Sequence, residues 1–143
     1  MDSAVHRYLR HRRNVDNISV KTLVDFRSRL DSFRPRVPLR RVTRRHVIDW
    51  LDSIAHHSPA TRRAYFSTLR GFFRWACDED LIAKDPTRGM RGPKVPPTPP
   101  KYLNADEVTA LVRVASADLR TLTIVVLLLQ LGLRRGELAA ARL

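Results

Sequence analysis

Between residues 1 and 90 the apolar positions recur at helical spacing four times, and no stretch alternates in the two-residue rhythm of a strand. Val5, Tyr8 and Leu9 mark one face of a first helix over roughly Ser3–Arg13. Ser19 stands where an N-cap belongs, ahead of Val20, Leu23, Phe26, Leu30 and Phe33 on one side of a second helix. RPRVPLRRV, with two prolines, reads as a loop, and Thr43 then caps a third helix holding Val47, Ile48, Leu51 and Ile54. Ser58, with Pro59 at the first helical position, opens the longest helix, PATRRAYFSTLRGFFRWACDEDL. Its apolar stripe is Tyr65, Leu69, Phe72, Phe73 and Ala76, while Arg63, Ser67, Arg70 and Arg74 line the opposite side. The pattern predicts a four-helix, all-α module over residues 1–90.

The periodicity then breaks. Residues 91–104, RGPKVPPTPPKYLN, hold five of the nine prolines. Proline fixes φ and removes a backbone donor, so this stretch is expected to be an extended, semi-rigid linker. Residues 105–143 resume as helix. LNADEVTALVRVAS carries Asn104 as cap and Glu107 three positions on, a capping box. DLRTLTIVVLLLQL is apolar nearly all round, with Gly132 placed to end it in a left-handed turn. A helix of that kind belongs at the centre of a larger fold, yet one amphipathic helix and a short Arg-rich turn are all that is present to cover it. The second domain is therefore expected to be unfinished.

Charge sharpens this picture. The net charge is +13, and residues 1–90 hold 19 Lys or Arg against 10 Asp or Glu. The linker adds three basic residues and no acid, whereas residues 105–143 are nearly balanced. A basic surplus in the first two thirds suits a polyanion, because each neutralised phosphate releases a condensed counterion. No basic amphipathic helix with a Trp/Leu face stands out, so a membrane surface is disfavoured. The longest apolar run, Leu122–Leu133, falls short of the roughly 18–20 residues that span a bilayer. MDSAVHRYLRHRRN is too polar for a signal peptide, and the expected compartment is the cytoplasm. Cys77 is the only cysteine, and none of the five histidines pairs at i,i+4 beside a carboxylate, so neither a disulfide framework nor a metal site is expected. No Gly-rich phosphate loop or nucleophile elbow is present, and no cofactor is expected.

Two sets of residues carry candidate chemistry. Arg62, Arg63, Ser67, Arg70 and Arg74 offer guanidinium and hydroxyl donors to phosphates along a groove, with the helix N-terminus also favouring anions. Lys21 and Thr22, at the start of the second helix, offer the same from another angle. The second set lies in GLRRGEL, where Arg134 and Glu137 stand three apart. They read either as a surface ion pair or as a phosphate clamp, in which the guanidinium fork meets two phosphate oxygens and the carboxylate holds it in place.

The ordered set of motifs resembles the tyrosine recombinases, the phage-integrase family. SVKTLVDFRSRL is similar to the family's Ser-x-Lys-Thr-Leu helix start. LRGFFRWACDEDLIAKDPT is similar to the close of its N-terminal domain, with Asp85-Pro86 in place of the usual Asn-Pro. YLNADEVTALV, a very apolar helix and GLRRGEL follow in the family's order, with Leu131 where a Thr commonly precedes the Gly. The resemblance implies a SAM-like core-binding domain over 1–90, then the linker, then the start of a catalytic domain over 105–143. It makes Arg134 the first catalytic arginine and Glu137 its support.

The family's remaining machinery, a Lys on a β-hairpin, a His-x-x-Arg motif, a further His or Trp and the nucleophilic Tyr, lies downstream of that arginine. Tyr8, Tyr65 and Tyr102 all precede it, so no nucleophile is assigned. The expectation is a truncated DNA-binding fragment of an integrase that does not cleave DNA by itself. The alternatives are half of a split recombinase completed in trans, or an inert remnant. The implied partners are double-stranded DNA, recombinase protomers and a separately encoded catalytic remainder.

Overall fold

The computed structural model describes residues 1–33, 35 and 37–140, so the loop expected over 34–42 lies partly outside the described residues. Among these residues the regular structure is helical throughout, with no strand. The helices are α1 (Asp2–Asn14), α2 (Val20–Ser32), α3 (Arg44–Ser53), α4 (Pro59–Asp78), α5 (Ala105–Ala115), α6 (Leu119–Leu131) and α7 (Arg135–Ala140). A 3₁₀ turn at Leu39–Arg41 precedes α3. The chain divides into two compact units, Met1–Pro97 and Thr98–Leu143.

The helix starts follow from short polar side chains that satisfy otherwise orphaned amides. Ser19 Oγ accepts from the Thr22 amide at 3.3 Å, and Ser58 Oγ from the Thr61 amide at 3.2 Å. At α3 the reciprocal bond comes from a histidine: the Thr43 amide donates to His46 Nδ1 at 3.1 Å. The longest helix stops at Asp78, three residues short of the expected end. Asp80 takes a left-handed φ of 55°. The amides of Asp80 and Leu81 then turn back to the carbonyls of Cys77 and Ala76, at 3.1 and 2.9 Å. This is a Schellman-type stop with aspartate in glycine's place. The chain next closes on Asp85, whose Oδ1 accepts from both the amide and the hydroxyl of the fully buried Thr87, at 2.8 and 2.7 Å.

In the first unit α1, α2 and α4 pack against one another. Phe33, Phe72 and Phe73 are fully buried, and Phe33 meets Trp50 and Phe73 edge-on at centroid distances of 5.5 and 5.7 Å. Such pairs add about 0.5–1.5 kcal/mol beyond area burial. Trp50 brings α3 into this core and donates from Nε1 to Ser32 Oγ at 3.3 Å. Two expected core positions differ. Val20 is 66% and Ile48 45% exposed. The buried face of α3 is the line Val47, Trp50 and Ile54, because the indole takes the inward position; Ile48 lies about 100° round from Val47. Phe66, Trp75 and Tyr8 are buried as well, while Tyr65 is half-buried.

The unit does not stop at residue 90. Residues 91–97, expected as linker, are irregular backbone but belong to it. The Arg63 Nη1 donates to the Pro93 carbonyl at 3.4 Å, and Gly92 lies against the buried Phe66 ring. In the second unit the capping box is formed: the Glu107 amide donates to Asn104 Oδ1 at 2.9 Å and the Asn104 amide to Glu107 Oε2 at 2.8 Å. Helix α6 is capped by Asp118 and ends at Gly132 with φ 60°. Ala115 is the buried apolar residue among those described here, and α6 has none; Leu119 and Leu131 are 78% and 63% exposed.

Candidate nucleic-acid interface

On α4, Arg63, Ser67, Arg70 and Arg74 are all exposed. At 100° per residue they fall within a sector of about 60°, opposite Leu69, Phe72 and Ala76, and span about 16 Å of axis. Arg70 and Arg74 have no hydrogen bond or ion pair among the described residues, whereas Arg63 is engaged with Pro93. The ion pairs among the described residues of this unit lie elsewhere: Arg7–Glu79 at 3.1 Å, Arg12–Asp16 at 2.7 Å and Arg27–Asp31 at 3.0 Å. The α4 stripe thus presents donors with no described carboxylate bonded to them.

Arg62 does not share that stripe. It sits one helical step away, half-buried, and its Nη2 lies 3.5 Å from the Leu51 carbonyl, while its Nε is buried without a partner. Its place is between α4 and the end of α3. Lys21 is exposed at the start of α2; the half-buried Thr22 has its hydroxyl 2.9 Å from that of Ser19, within the helix cap.

At the start of α7 the Arg134 amide donates to Glu137 Oε2 at 2.8 Å, and its guanidinium Nη1 donates to Oε1 at 3.2 Å. One carboxylate therefore caps the helix and tethers the arginine. The Arg134 side chain is 87% exposed, so its remaining donors face solvent. Sequence spacing anticipates the pair; it does not anticipate that the backbone amide shares the same carboxylate.

The tyrosines occupy three different settings. Tyr8 is buried against Phe72, Tyr65 is half-buried beside His57, and Tyr102 is 82% exposed in irregular backbone. Among the described residues, no group of three or more His, Cys, Asp or Glu side chains is arranged to hold a metal ion. Nor is any described helix long and apolar enough to cross a membrane.

Residues 5–80, more than half of the chain, match the phage integrase N-terminal SAM-like domain. A tyrosine recombinase XerD from Ralstonia nicotianae is 37% identical over 95 residues, covering 64% of this chain and 30% of the relative. A XerC recombinase from Myxococcus xanthus is 30% identical over 121 residues, covering 81% of this chain and 40% of the relative. The chain thus spans well under half the length of these curated relatives. A lambda integrase dimer bound to a COC′ core site shares the fold at a TM-score of 0.82, with 24% identity over 99% of this chain and 41% of that one. The all-helical first unit, its capped α4 and the match over residues 5–80 together identify the chain as a member of the phage-integrase, or tyrosine recombinase, family.

Proposed function

We propose that the first unit grips duplex DNA as the core-binding part of a tyrosine recombinase, in the service of DNA integration and recombination. The observation that carries this reading is the α4 stripe: Ser67, Arg70 and Arg74 exposed on one side, unpaired with any described carboxylate, in a chain of net charge +13. These donors span about 10 Å of helix axis, extended to about 16 Å by Arg63, and so pass several phosphates of a strand, whose charges recur every ~3.4 Å of duplex axis. Lys21 extends the grip from α2. Arg63 contributes charge while anchoring residue 93, and Arg62 serves packing. Phosphate contacts position a protein without reading sequence, so this stripe supplies affinity and register.

In the second unit the proposal makes Arg134 a phosphate clamp held by Glu137. A single guanidinium offsets charge that builds during phosphoryl transfer but supplies no nucleophile, so these 143 residues alone are not expected to cleave DNA. The exposed apolar positions of α6 favour a second reading, in which this unit completes its core against further recombinase sequence, in cis or in trans.

The deciding experiment is duplex binding by the full chain across a salt series, beside Arg70→Ala/Arg74→Ala. The wild-type affinity falls steeply with salt, and the double variant lowers the log–log slope by about 1.8, at about 0.9 per lost contact. A folded protein that binds no duplex at low salt sinks the DNA reading.

A further inference from the structure

A cleft of about 440 Å³ lies between α1, α2 and α4, beside the basic stripe, and Ser67 belongs to both. Two arginines absent from the sequence-based site line it, Arg12 and Arg29. Arg12 is held as a fixed cation: its guanidinium carbon lies 5.9 Å from the Tyr8 ring centroid and 5.7 Å from that of Phe26. Its Nη1 donates to Asp16 at 2.7 Å, and its Nε is buried with no partner. Arg29 donates from Nη1 to Thr68 Oγ1 at 3.3 Å, and that hydroxyl in turn donates a hydrogen bond to the Ala64 carbonyl at 3.0 Å. Thr68 therefore aims the Arg29 fork while using one of its five N–H donors. No described carboxylate pairs with Arg29.

The floor is shaped by Tyr8 and Gly71. A Cβ at residue 71 would stand 3.0 Å from the Tyr8 hydroxyl, so glycine leaves that oxygen room beside the cleft. Burial pushes the Tyr8 phenol above its ordinary value, with the Arg12 charge opposing and Asp16 adding, so the hydroxyl stays protonated and able to donate. Two guanidiniums against one carboxylate, with tyrosine and serine hydroxyls at floor and rim, make a donor-rich, net positive recess. Planar guanidinium forks match the paired non-bridging oxygens of a phosphodiester.

We infer that this cleft seats one backbone phosphate of the bound duplex, with Arg29, Arg12 and Ser67 as its donors. The inference rests on the DNA grip proposed above and extends it from an exposed stripe to a recessed anchoring point. The shared Ser67 makes the duplex backbone, rather than a free anion, the occupant: a strand on the α4 stripe passes the mouth of the cleft.

The test compares Arg29→Gln and Arg29→Lys with the wild-type full chain in duplex binding between about 50 and 200 mM salt. Arg29→Gln lowers the slope by about 0.9, which shrinks the affinity loss over that range about 3.5-fold, while Arg29→Lys keeps the slope. A folded Arg29→Gln with an unchanged slope, beside an Arg70→Ala/Arg74→Ala variant whose slope falls, overturns the cleft and leaves the grip standing. Absence of duplex binding by the wild type removes both. Should Arg29→Gln not fold, the Arg12 Nε–H resonance of the unaltered chain answers instead. It shifts when duplex is added; an unmoved signal overturns the inference, as does a shift with inorganic phosphate at matched ionic strength and none with duplex.

Discussion

Gly92→Ala tests where the first unit ends. A Cβ at residue 92 would stand 2.9 Å from Phe66 Cδ1 and 3.3 Å from Cε1. Phe66 is 3% exposed, so its ring has no free space to swing into, and the conflict is relieved only by moving the core or lifting residues 91–97 from it. Overpacking of this kind costs about 1–3 kcal/mol. For a unit of this size each kcal/mol lowers the melting temperature by about 4–8 °C, so a fall of roughly 8–16 °C is expected for a cost near the middle of that range. In a detached linker the same substitution acts through the unfolded chain and stabilises by about 0.4–1 kcal/mol, the opposite sign. Trp50 and Trp75 are the two tryptophans of the chain and both lie in the first unit, so tryptophan fluorescence during thermal unfolding reads that unit selectively. A melting temperature equal to or above wild type would refute the packing of residues 91–97 against Phe66.

Two further outcomes follow from the same geometry. Phe73→Ala removes a fully buried ring set edge-on to Phe33 and should destabilise the first unit by about 3–5 kcal/mol, read as a lower urea midpoint at unchanged slope; a loss below about 1 kcal/mol would contradict a close-packed core there. Asp118 accepts from the Thr121 hydroxyl at 2.6 Å and the Thr121 amide at 2.9 Å, and these bonds hold its carboxyl below its ordinary 3.8. A group depressed in the folded state stabilises above its unfolded value and loses that contribution as pH falls through the folded one. Helicity followed by circular dichroism below pH ~4 should therefore decline less in Asp118→Asn than in wild type, and equal acid profiles would deny the cap.

The helices and their caps were legible because they are local properties. Ser19, Ser58 and Asn104 each bond within three residues of themselves, so sequence spacing already contains the geometry. The pairing of Arg134 with Glu137 and the left-handed Gly132 were legible for the same reason. Helical period also placed Arg63, Ser67, Arg70 and Arg74 on one line, since 100° per residue is independent of what the helix packs against. It did not anticipate the early stop of α4, because aspartate seldom takes the left-handed place that glycine usually fills.

Contacts between distant residues were decided by the fold alone. Burial of Trp50 in place of Ile48 depends on where Phe33 stands, 17 positions earlier in the chain. That residues 91–97 lie on the first unit depends on Phe66 and Arg63, which no reading of a proline-rich stretch contains. The cleft joins Arg12, Arg29 and Thr68 from three helices, and each taken alone looks like an ordinary helix-surface residue. Periodicity states which side of a helix a residue occupies; only packing states which other helix faces it, and hence which donors meet in one place.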